Sequence, residues 1–205
     1  MKRTITRTLF LVLMLAVGHV SRAQLISFDY LDTCKVYESI DEALISPTSV
    51  YRLDLSKQKL KEFPVEIFQL VNLNELKLSR NKIIVIPSEI SKLTFLQKLD
   101  IQRNALDTIK PEMCELRHLR ELNLAENFIT GIPDEIENLA DLKYFILWQN
   151  PIEYYPNSLG MLEKLEVFDL LHNLMTERTQ DRLRNILPKC NIVMSPPCNC
   201  GMQDE

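Results

Sequence analysis

Residues 119–129 read LRELNLAENFI, and this stretch decides the fold because its pattern recurs along the chain. Each copy starts 23 residues after the previous one, without insertion. Apolar residues follow three, five and ten positions after each start, and an amide follows after eight. A strict period predicts stacked units that bury a shared core. The starts are Val50, Leu73, Leu96, Leu119, Leu142 and Leu165, and the amides are Gln58, Asn81, Asn104, Asn127, Asn150 and Asn173.

This pattern resembles the leucine-rich repeat family, whose motif is Leu-x-x-Leu-x-Leu-x-x-Asn-x-Leu. The second half of each repeat resembles the Ile-Pro-x-x-Ile-x-x-Leu variant, as in residues 86–90 (IPSEI). The resemblance covers residues 50–187 and implies an α/β fold, namely a right-handed β/α horseshoe solenoid of six repeats. Its parallel sheet forms the concave face and short helices form the convex face. The resemblance also implies that the amides form a ladder, which satisfies backbone groups under the turn after each strand.

Both ends of such a solenoid need a cap. Residues 24–49 are expected to form the N-terminal cap, with a short helix opened by a capping box at residues 39–42 (SIDE) and stopped before Pro47. The sixth repeat lacks the proline segment, and residues 176–187 predict a closing helix in its place. Residues 188–205 predict a C-terminal cap and tail, with a last strand at residues 191–195. Prolines of the convex segments are expected in the first helical turn.

Residues 1–23 have the organisation of a secretory signal peptide. Lys2, Arg3 and Arg7 precede an apolar run at residues 9–17, which is too short to span a membrane. Small residues then favour cleavage between Ala23 and Gln24. We therefore expect a secreted protein, or one of the periplasm or cell envelope, without a transmembrane anchor.

Composition and charge exclude several classes of protein. With 46% hydrophobic and 25% charged residues, the chain is neither disordered nor wholly membrane-embedded. The formal net charge is −4, and the first 23 residues contain four basic and no acidic side chains. The remainder is therefore more acidic still, which argues against a nucleic-acid partner.

The sequence offers weak support for catalysis or for a cofactor. Four glycines could hardly supply a phosphate-binding loop. Cys114 and His118 lie four residues apart, but the pattern implies no carboxylate to orient the histidine. Glu75 and Glu121 are expected two strands apart, about 10 Å, a distance that a glycosidase tolerates but that any charged sheet also shows. We predict a non-enzyme that needs no metal and no cofactor.

The five cysteines leave the disulfide pattern open. Cys190 could pair with Cys198 or with Cys200 after export, which would staple the tail. Alternatively, Cys190 packs as a small apolar residue and the tail is loose. Cys34 is too far along the solenoid to join them, and Cys114 is expected to be a free thiol on the convex side.

The repeat register also predicts which side chains line the concave face, at positions two, four, six and seven after each start. In repeats one to three these positions carry six cations and three acids. The seventh position stacks Lys57, Arg80 and Arg103 about 5 Å apart, where like charges repel. This basic column indicates either an anionic partner or an ordinary solvated sheet.

Repeats five and six place apolar residues on the same face. The chain's single tryptophan is among them, and exposed apolar groups around such a residue are typical of a contact surface. The C-terminal tail or a second copy of the chain could cover this surface instead. Its residues, called the aromatic patch below, are Tyr144, Ile146, Trp148, Val167 and Leu171.

These observations predict an exported recognition module that binds a protein or peptide on its concave face. The aromatic patch would supply most of the affinity, and the basic column would guide association. Two alternatives remain open, namely a carbohydrate-binding protein, since aromatic rings stack on sugars, and a self-associating structural protein of the cell envelope.

Overall fold

A computed structural model of the chain describes residues 25–198, and the expected signal peptide, its cleavage site and Cys200 lie outside that range. Eight strands form one parallel sheet in chain order. The register pairs Leu53 with Leu76 and Leu76 with Leu99, so each strand advances by one repeat. This confirms the leucine-rich repeat solenoid. The strands are β1 (Val36–Tyr37), β2 (Arg52–Asp54), β3 (Glu75–Lys77), β4 (Lys98–Asp100), β5 (Glu121–Asn123), β6 (Tyr144–Ile146), β7 (Val167–Leu170) and β8 (Asn191–Met194).

The convex segments of the repeats are 3₁₀ helices and not α-helices. The prediction that proline occupies their first turn is wrong for four of them, since Pro64, Pro87, Pro133 and Pro156 lie one residue earlier, at the N-cap. There the proline carbonyl accepts a bond from the third helical N–H, as between Ile90 N–H and Pro87 (3.1 Å). The 3₁₀ helices are Pro47–Ser49, Val65–Gln69, Ser88–Lys92, Pro111–Glu115, Asp134–Asn138 and Asn157–Met161.

The core lies between the sheet and the convex segments. The motif leucines of successive strands stack inside it, and Leu76, Leu122 and Phe145 are fully buried. Phe145 and Phe168 stack with ring centroids 5.2 Å apart. Each side chain thus covers its neighbour in the next repeat, which a single repeat could not achieve.

The predicted amide ladder is complete at Asn81, Asn104, Asn127 and Asn150, whereas Gln58 bonds to the Glu38 carbonyl of the N-terminal cap and Asn173 Oδ1 has no hydrogen-bond partner among the described residues. Asn127 Nδ2 donates to the carbonyls of Ile101 (3.1 Å) and Leu124 (2.9 Å), and its Oδ1 accepts from Leu106 N–H (3.1 Å). Asn81, Asn104 and Asn150 repeat this geometry one repeat apart. Every such amide therefore joins consecutive repeats through backbone groups that would otherwise be buried without a partner.

The chain leaves each strand through a fixed turn. In repeat three, Asp100 Oδ1 accepts from the N–H of Gln102 two residues on (3.0 Å), as Asx residues commonly do in turns. The seventh position then adopts a left-handed backbone in all six repeats, although none of the residues there is glycine. These residues are Lys57, Arg80, Arg103, Glu126, Gln149 and His172, with φ between 52° and 63°.

The N-terminal cap is larger than the sequence indicates. It contains helix α1 (Phe28–Leu31) and strand β1 as well as the expected helix α2 (Ile40–Ile45). Ser39 is the N-cap of α2 but makes no side-chain capping bond, so the capping-box interaction is absent. Ser27 performs that role for α1, where its hydroxyl accepts from Tyr30 N–H (3.3 Å).

The C-terminal cap consists of helix α3 (Glu177–Ile186) and strand β8. The helix starts at the Thr176 N-cap, whose hydroxyl accepts from Thr179 N–H (3.3 Å). Cys190 is a free thiol packed against the core, as the alternative without a Cys190 disulfide expects. Because Cys190 is free, the expected disulfide between Cys190 and either Cys198 or Cys200 is wrong. Cys198 itself is disulfide-bonded. Cys34 and Cys114 are free.

Candidate functional site

Three members of the aromatic patch, Tyr144, Ile146 and Val167, lie on the neighbouring strands β6 and β7, and Trp148 and Leu171 follow shortly after these strands. The register places Tyr144 beside Val167 and Ile146 beside Asp169, while the intervening Phe145 and Phe168 point into the core. Tyr144 is 37% exposed, and the other members of the patch are half-buried. The phenol of Tyr144 donates to Glu166 (3.2 Å), which also accepts from Lys143 (2.6 Å) and raises the pKa of the phenol. The patch therefore combines apolar side chains with one phenol hydroxyl, which a hydrogen bond to Glu166 holds in place.

The described part of the C-terminal tail follows the rim of the sheet, where the strands end. Ser195 Oγ accepts from His172 N–H (2.8 Å), and its carbonyl accepts from Gln180 (2.9 Å). Further on, Cys198 N–H donates to the carbonyl of Met175 (3.1 Å). These contacts place residues 195–198 beside the turn of repeat six. None of the described tail residues has a hydrogen bond to the aromatic patch.

The three residues of the predicted basic column differ in whether they form an ion pair. Lys57 and Arg80 are exposed and form no ion pair with another described residue. Arg103 pairs with Glu126 in the next repeat. All three lie at the rim of the concave face, because the left-handed backbone at their position already turns the chain out of the strand.

Two of the other three cations of repeats one to three, Arg52 and Lys98, contact the N-terminal segment, which sequence periodicity did not indicate. Lys98 Nζ lies 3.1 Å from Asp32 and 4.3 Å from the ring centroid of Phe28. Arg52 donates to the Asp32 carbonyl (3.0 Å), and Gln97 donates to that of Ile26 (2.8 Å). Segment 26–32 therefore covers the edge of the sheet where these strands begin.

A buried ion-paired cluster supports this region. The side chain of Glu75 is only 4% exposed, and it pairs with Arg52 and with Lys77 (3.0 Å). The hydrogen bond that Arg52 donates to the Glu75 carboxylate raises the pKa of Arg52. Nearby, burial raises the pKa of the Asp100 and Glu121 carboxyl groups. The concave face of the first repeats is thus a network of internal contacts more than an open cationic surface.

Sequence reasoning missed a groove at the rim of repeats three to six. It encloses about 600 Å³. Phe128 and Leu174, at the ninth position of repeats four and six, are 62% and 69% exposed beside it. Writing out the ninth position of each repeat would have revealed them. The groove is lined by Arg103, Glu126, Asn127, Phe128, Gln149, Asn150, Pro151, Ile152, Glu153, His172 and Leu174.

The catalytic candidates do not form a reactive centre. Cys114 is fully buried, and burial raises the pKa of its thiol to about 12, so it is not a thiolate near neutral pH. His118 does have a carboxylate near it, with Asp141 3.5 Å from Nδ1, but Asp141 is also bound by Lys164 (2.6 Å). Among residues 25–198 no group of His, Cys, Asp or Glu side chains is arranged to hold a metal ion.

Comparison with known families gives the class of protein. The model of the leucine-rich repeat region matches residues 50–192, which is more than half of the chain. The chain therefore belongs to the leucine-rich repeat family, whose fold typically serves recognition and not catalysis. No curated protein matches the sequence.

Solved structures with a similar fold come from bacteria and plants. A leucine-rich repeat protein of Leptospira interrogans is 29% identical, with a TM-score of 0.65, over 80% of this chain and 49% of its own. An internalin of Listeria monocytogenes is 20% identical, with a TM-score of 0.61, over 72% and 44% of the two chains, and shows the fold alone. This chain thus spans about half the length of these neighbours or less.

A plant receptor provides a third structural neighbour. It is the leucine-rich repeat ectodomain of a membrane receptor kinase from Arabidopsis thaliana, solved in complex with Casparian strip integrity factor 2. The identity is 29% and the TM-score 0.59, over 75% of this chain and 19% of the receptor chain. In the part of our chain that the structure describes, no helix is long and apolar enough to cross a membrane.

Proposed function

We propose that the chain is an exported, non-catalytic recognition module that binds a protein or peptide on its concave face. The observation that carries this proposal is the aromatic patch, in which Tyr144 is partly exposed and Trp148 is half-buried. Partly exposed aromatic residues with apolar neighbours are the usual energetic anchors of interfaces. Strand β6 holds Tyr144, and the Trp148 carbonyl accepts from Glu126 N–H (2.9 Å), so little backbone entropy is lost on binding.

The similar fold of a receptor ectodomain in complex with Casparian strip integrity factor 2 supports a recognition role. The distribution of charge supports the choice of the concave side. Lys57 and Arg80 lie at the rim of the same sheet without an ion pair among the described residues, so they would attract an acidic partner from a distance. The affinity itself would come from the aromatic patch.

The test is affinity capture from a fraction of cell-envelope and secreted proteins. The bait is the protein produced with its residues 1–23, purified after export, and compared with its Trp148→Ala variant. N-terminal sequencing of the bait should begin at Gln24 if the signal peptide is cut as proposed. We expect a specific partner whose retention falls at least about tenfold in the variant, as for an interface anchor.

A matched control is Met161→Ala, because Met161 is 64% exposed on the convex side and far from the patch. This variant should retain the partner, and circular dichroism should show that all three proteins are folded. Equal retention by wild type and Trp148→Ala would contradict the placement of the site. If no protein is retained but an immobilised glycan is, the aromatic patch binds carbohydrate.

A further inference from the structure

The rim of the concave sheet has two chemically different halves. We define the rim by the seventh and ninth positions of each repeat, which flank the ladder amide. Repeats one and two place four cations there, namely Lys57, Lys59, Arg80 and Lys82, and all four are exposed. Repeats four to six place the exposed residues Phe128, Pro151 and Leu174 at the ninth position, and their seventh position carries the polar residues Glu126, Gln149 and His172.

The apolar half of the rim is shaped as a notch. Phe128 and Leu174 are two repeats apart, which corresponds to about 10 Å between their backbones. Pro151 lies between them and has a short side chain, while Ile152 behind it is 1% exposed. Phe128 and Leu174 form the two walls of the notch, and Pro151 and Ile152 form its apolar floor. The notch is part of the groove of about 600 Å³ and has room for one aliphatic or aromatic side chain.

The backbone that carries both halves is fixed before any partner arrives. The N–H groups of Arg80 and Lys82 donate to Gln102 (2.9 Å) and Leu60 (2.7 Å), in the repeats on either side. Phe128 N–H donates to Leu106 in the same way (2.8 Å). Such a preorganised rim loses little entropy on binding, which favours affinity for an extended segment.

Folding stability does not account for this arrangement. Lys57, Lys59, Arg80 and Lys82 form no ion pair with another described residue, so their mutual repulsion is not relieved by pairing. Phe128 and Leu174 likewise leave most of their area in water. Adjacent exposed apolar residues are typical of a contact surface.

We propose that the rim is a second binding site, separate from the aromatic patch, for an extended peptide with an apolar and an acidic part. The apolar side chain would fill the notch between Phe128 and Leu174. The acidic side chains would lie along the four cations of repeats one and two. From Lys57 to Leu174 the rim spans five repeat steps, about 24 Å, which an extended peptide of about seven residues covers.

The experiment measures fluorescence anisotropy with labelled synthetic peptides of about eight residues. One peptide joins a Phe-Leu part to an Asp-Glu part, and a second has these parts in the opposite order, because the direction of binding is open. A third replaces the acids with lysine, and a fourth replaces Phe and Leu with serine. We expect one of the first two to bind, and to bind at least about tenfold more tightly than the third and the fourth.

Variants locate the site on the protein. Phe128→Ser combined with Leu174→Ser should weaken binding at least about tenfold, because both walls of the notch are lost. Arg80→Glu combined with Lys82→Glu should weaken it and flatten its salt dependence. Met161→Ser removes an equally exposed apolar side chain from the convex side and should leave the affinity unchanged.

Several outcomes would overturn the proposal. One is that neither acidic peptide binds more tightly than the lysine peptide. Another is that binding survives the loss of Phe128 and Leu174. A third is a concentration-dependent dimer in sedimentation that the Phe128→Ser, Leu174→Ser variant abolishes, since the notch would then receive a second copy of the chain.

Discussion

Repeats one to three and repeats four to six share one backbone but differ in what they present to solvent. In the first half, Arg52 and Lys98 bind the N-terminal segment, and Glu75 is buried between two cations. In the second half, Tyr144 is partly exposed on the concave face and Phe128 on the rim. The ladder and the core fix the solenoid in both halves, so the remaining positions are free to differ. The concave face of the first half is thus closed by internal contacts, whereas that of the second half leaves an aromatic side chain partly exposed.

The ladder should be the feature that both halves depend on most. Asn127→Ala removes two donors and one acceptor that serve buried backbone groups. We expect a loss of about 4 kcal/mol of unfolding free energy, because each unsatisfied buried group costs about 1–3 kcal/mol. Urea denaturation followed by circular dichroism measures it.

The control for the ladder is Gln58→Ala in repeat one. Gln58 is exposed and makes a single bond, to the Glu38 carbonyl (2.8 Å). Its loss should cost less than about 1 kcal/mol. Similar losses for the two variants would mean that the amide position contributes through something other than its buried bonds.

The buried ion pair should distinguish the two halves. Glu75→Gln removes the buried carboxylate that pairs with Arg52, whose side chain is 14% exposed, and leaves it only the more distant Asp32 carboxylate at 4.0 Å. We expect a loss of about 3 kcal/mol, since removing one partner of a buried ion pair is costly. Thermal and urea unfolding measure the change.

Glu126→Gln is the matched variant in the second half, because the Arg103–Glu126 side chains are 41% and 21% exposed. An exposed pair of this kind contributes less than about 1 kcal/mol. A loss for Glu126→Gln as large as that for Glu75→Gln would refute the distinction between a closed half and an open half.

A smaller, pH-dependent effect is expected at Asp100. Burial raises its pKa in the folded protein, so the native state binds the proton more tightly than the unfolded chain does. The wild type therefore loses stability as the pH rises from the ordinary value of 3.8 through the raised pKa. Asp100→Asn lacks this titration, so its stability relative to wild type should be higher near pH 7 than near pH 3.

Repeat four already has an asparagine at the position equivalent to Asp100. This residue is Asn123, and its Oδ1 accepts from Ala125 N–H (3.2 Å) as Asp100 Oδ1 accepts from Gln102 N–H. Asp100→Ala, which also deletes this acceptor, should show the same trend with pH at a lower overall stability. A relative stability that does not change with pH, measured by urea unfolding at each pH, would exclude ionisation of Asp100 as a cost to folding.

The sequence predicted the features that repeat, together with the closing helix and the last strand, and missed several contacts that occur once. Period and motif predicted the stacked strands and the inward leucines, because six copies in one register leave a single way to stack, and the resemblance to the leucine-rich repeat family implied the role of Asn127. They did not indicate that Ser27, and not Ser39, makes a capping bond, or that Phe28 lies against Lys98. These contacts join segments that carry no periodic signal.

The candidate site also has some features that the sequence predicted and others that it missed. The period placed Trp148 and Tyr144 on the concave sheet, because alternation in a strand decides the face of each side chain. It could not show that Lys57 adopts a left-handed backbone, a conformation for which lysine itself has no preference. In that conformation the Lys57 N–H donates to the Ser79 carbonyl of the next repeat (2.9 Å).

The sequence by itself determined a solenoid of stacked repeats and its register, since these follow from local periodicity and from the need of each repeat to bury its apolar face, and the buried ladder was implied by the resemblance of its motif to the leucine-rich repeat family. Only the tertiary structure decided which exposed positions meet. It joined the N-terminal segment to Lys98, closed the Arg103–Glu126 pair and opened the groove between Phe128 and Leu174. Those contacts depend on distances across repeats, which the stacking of strands sets and no single repeat encodes.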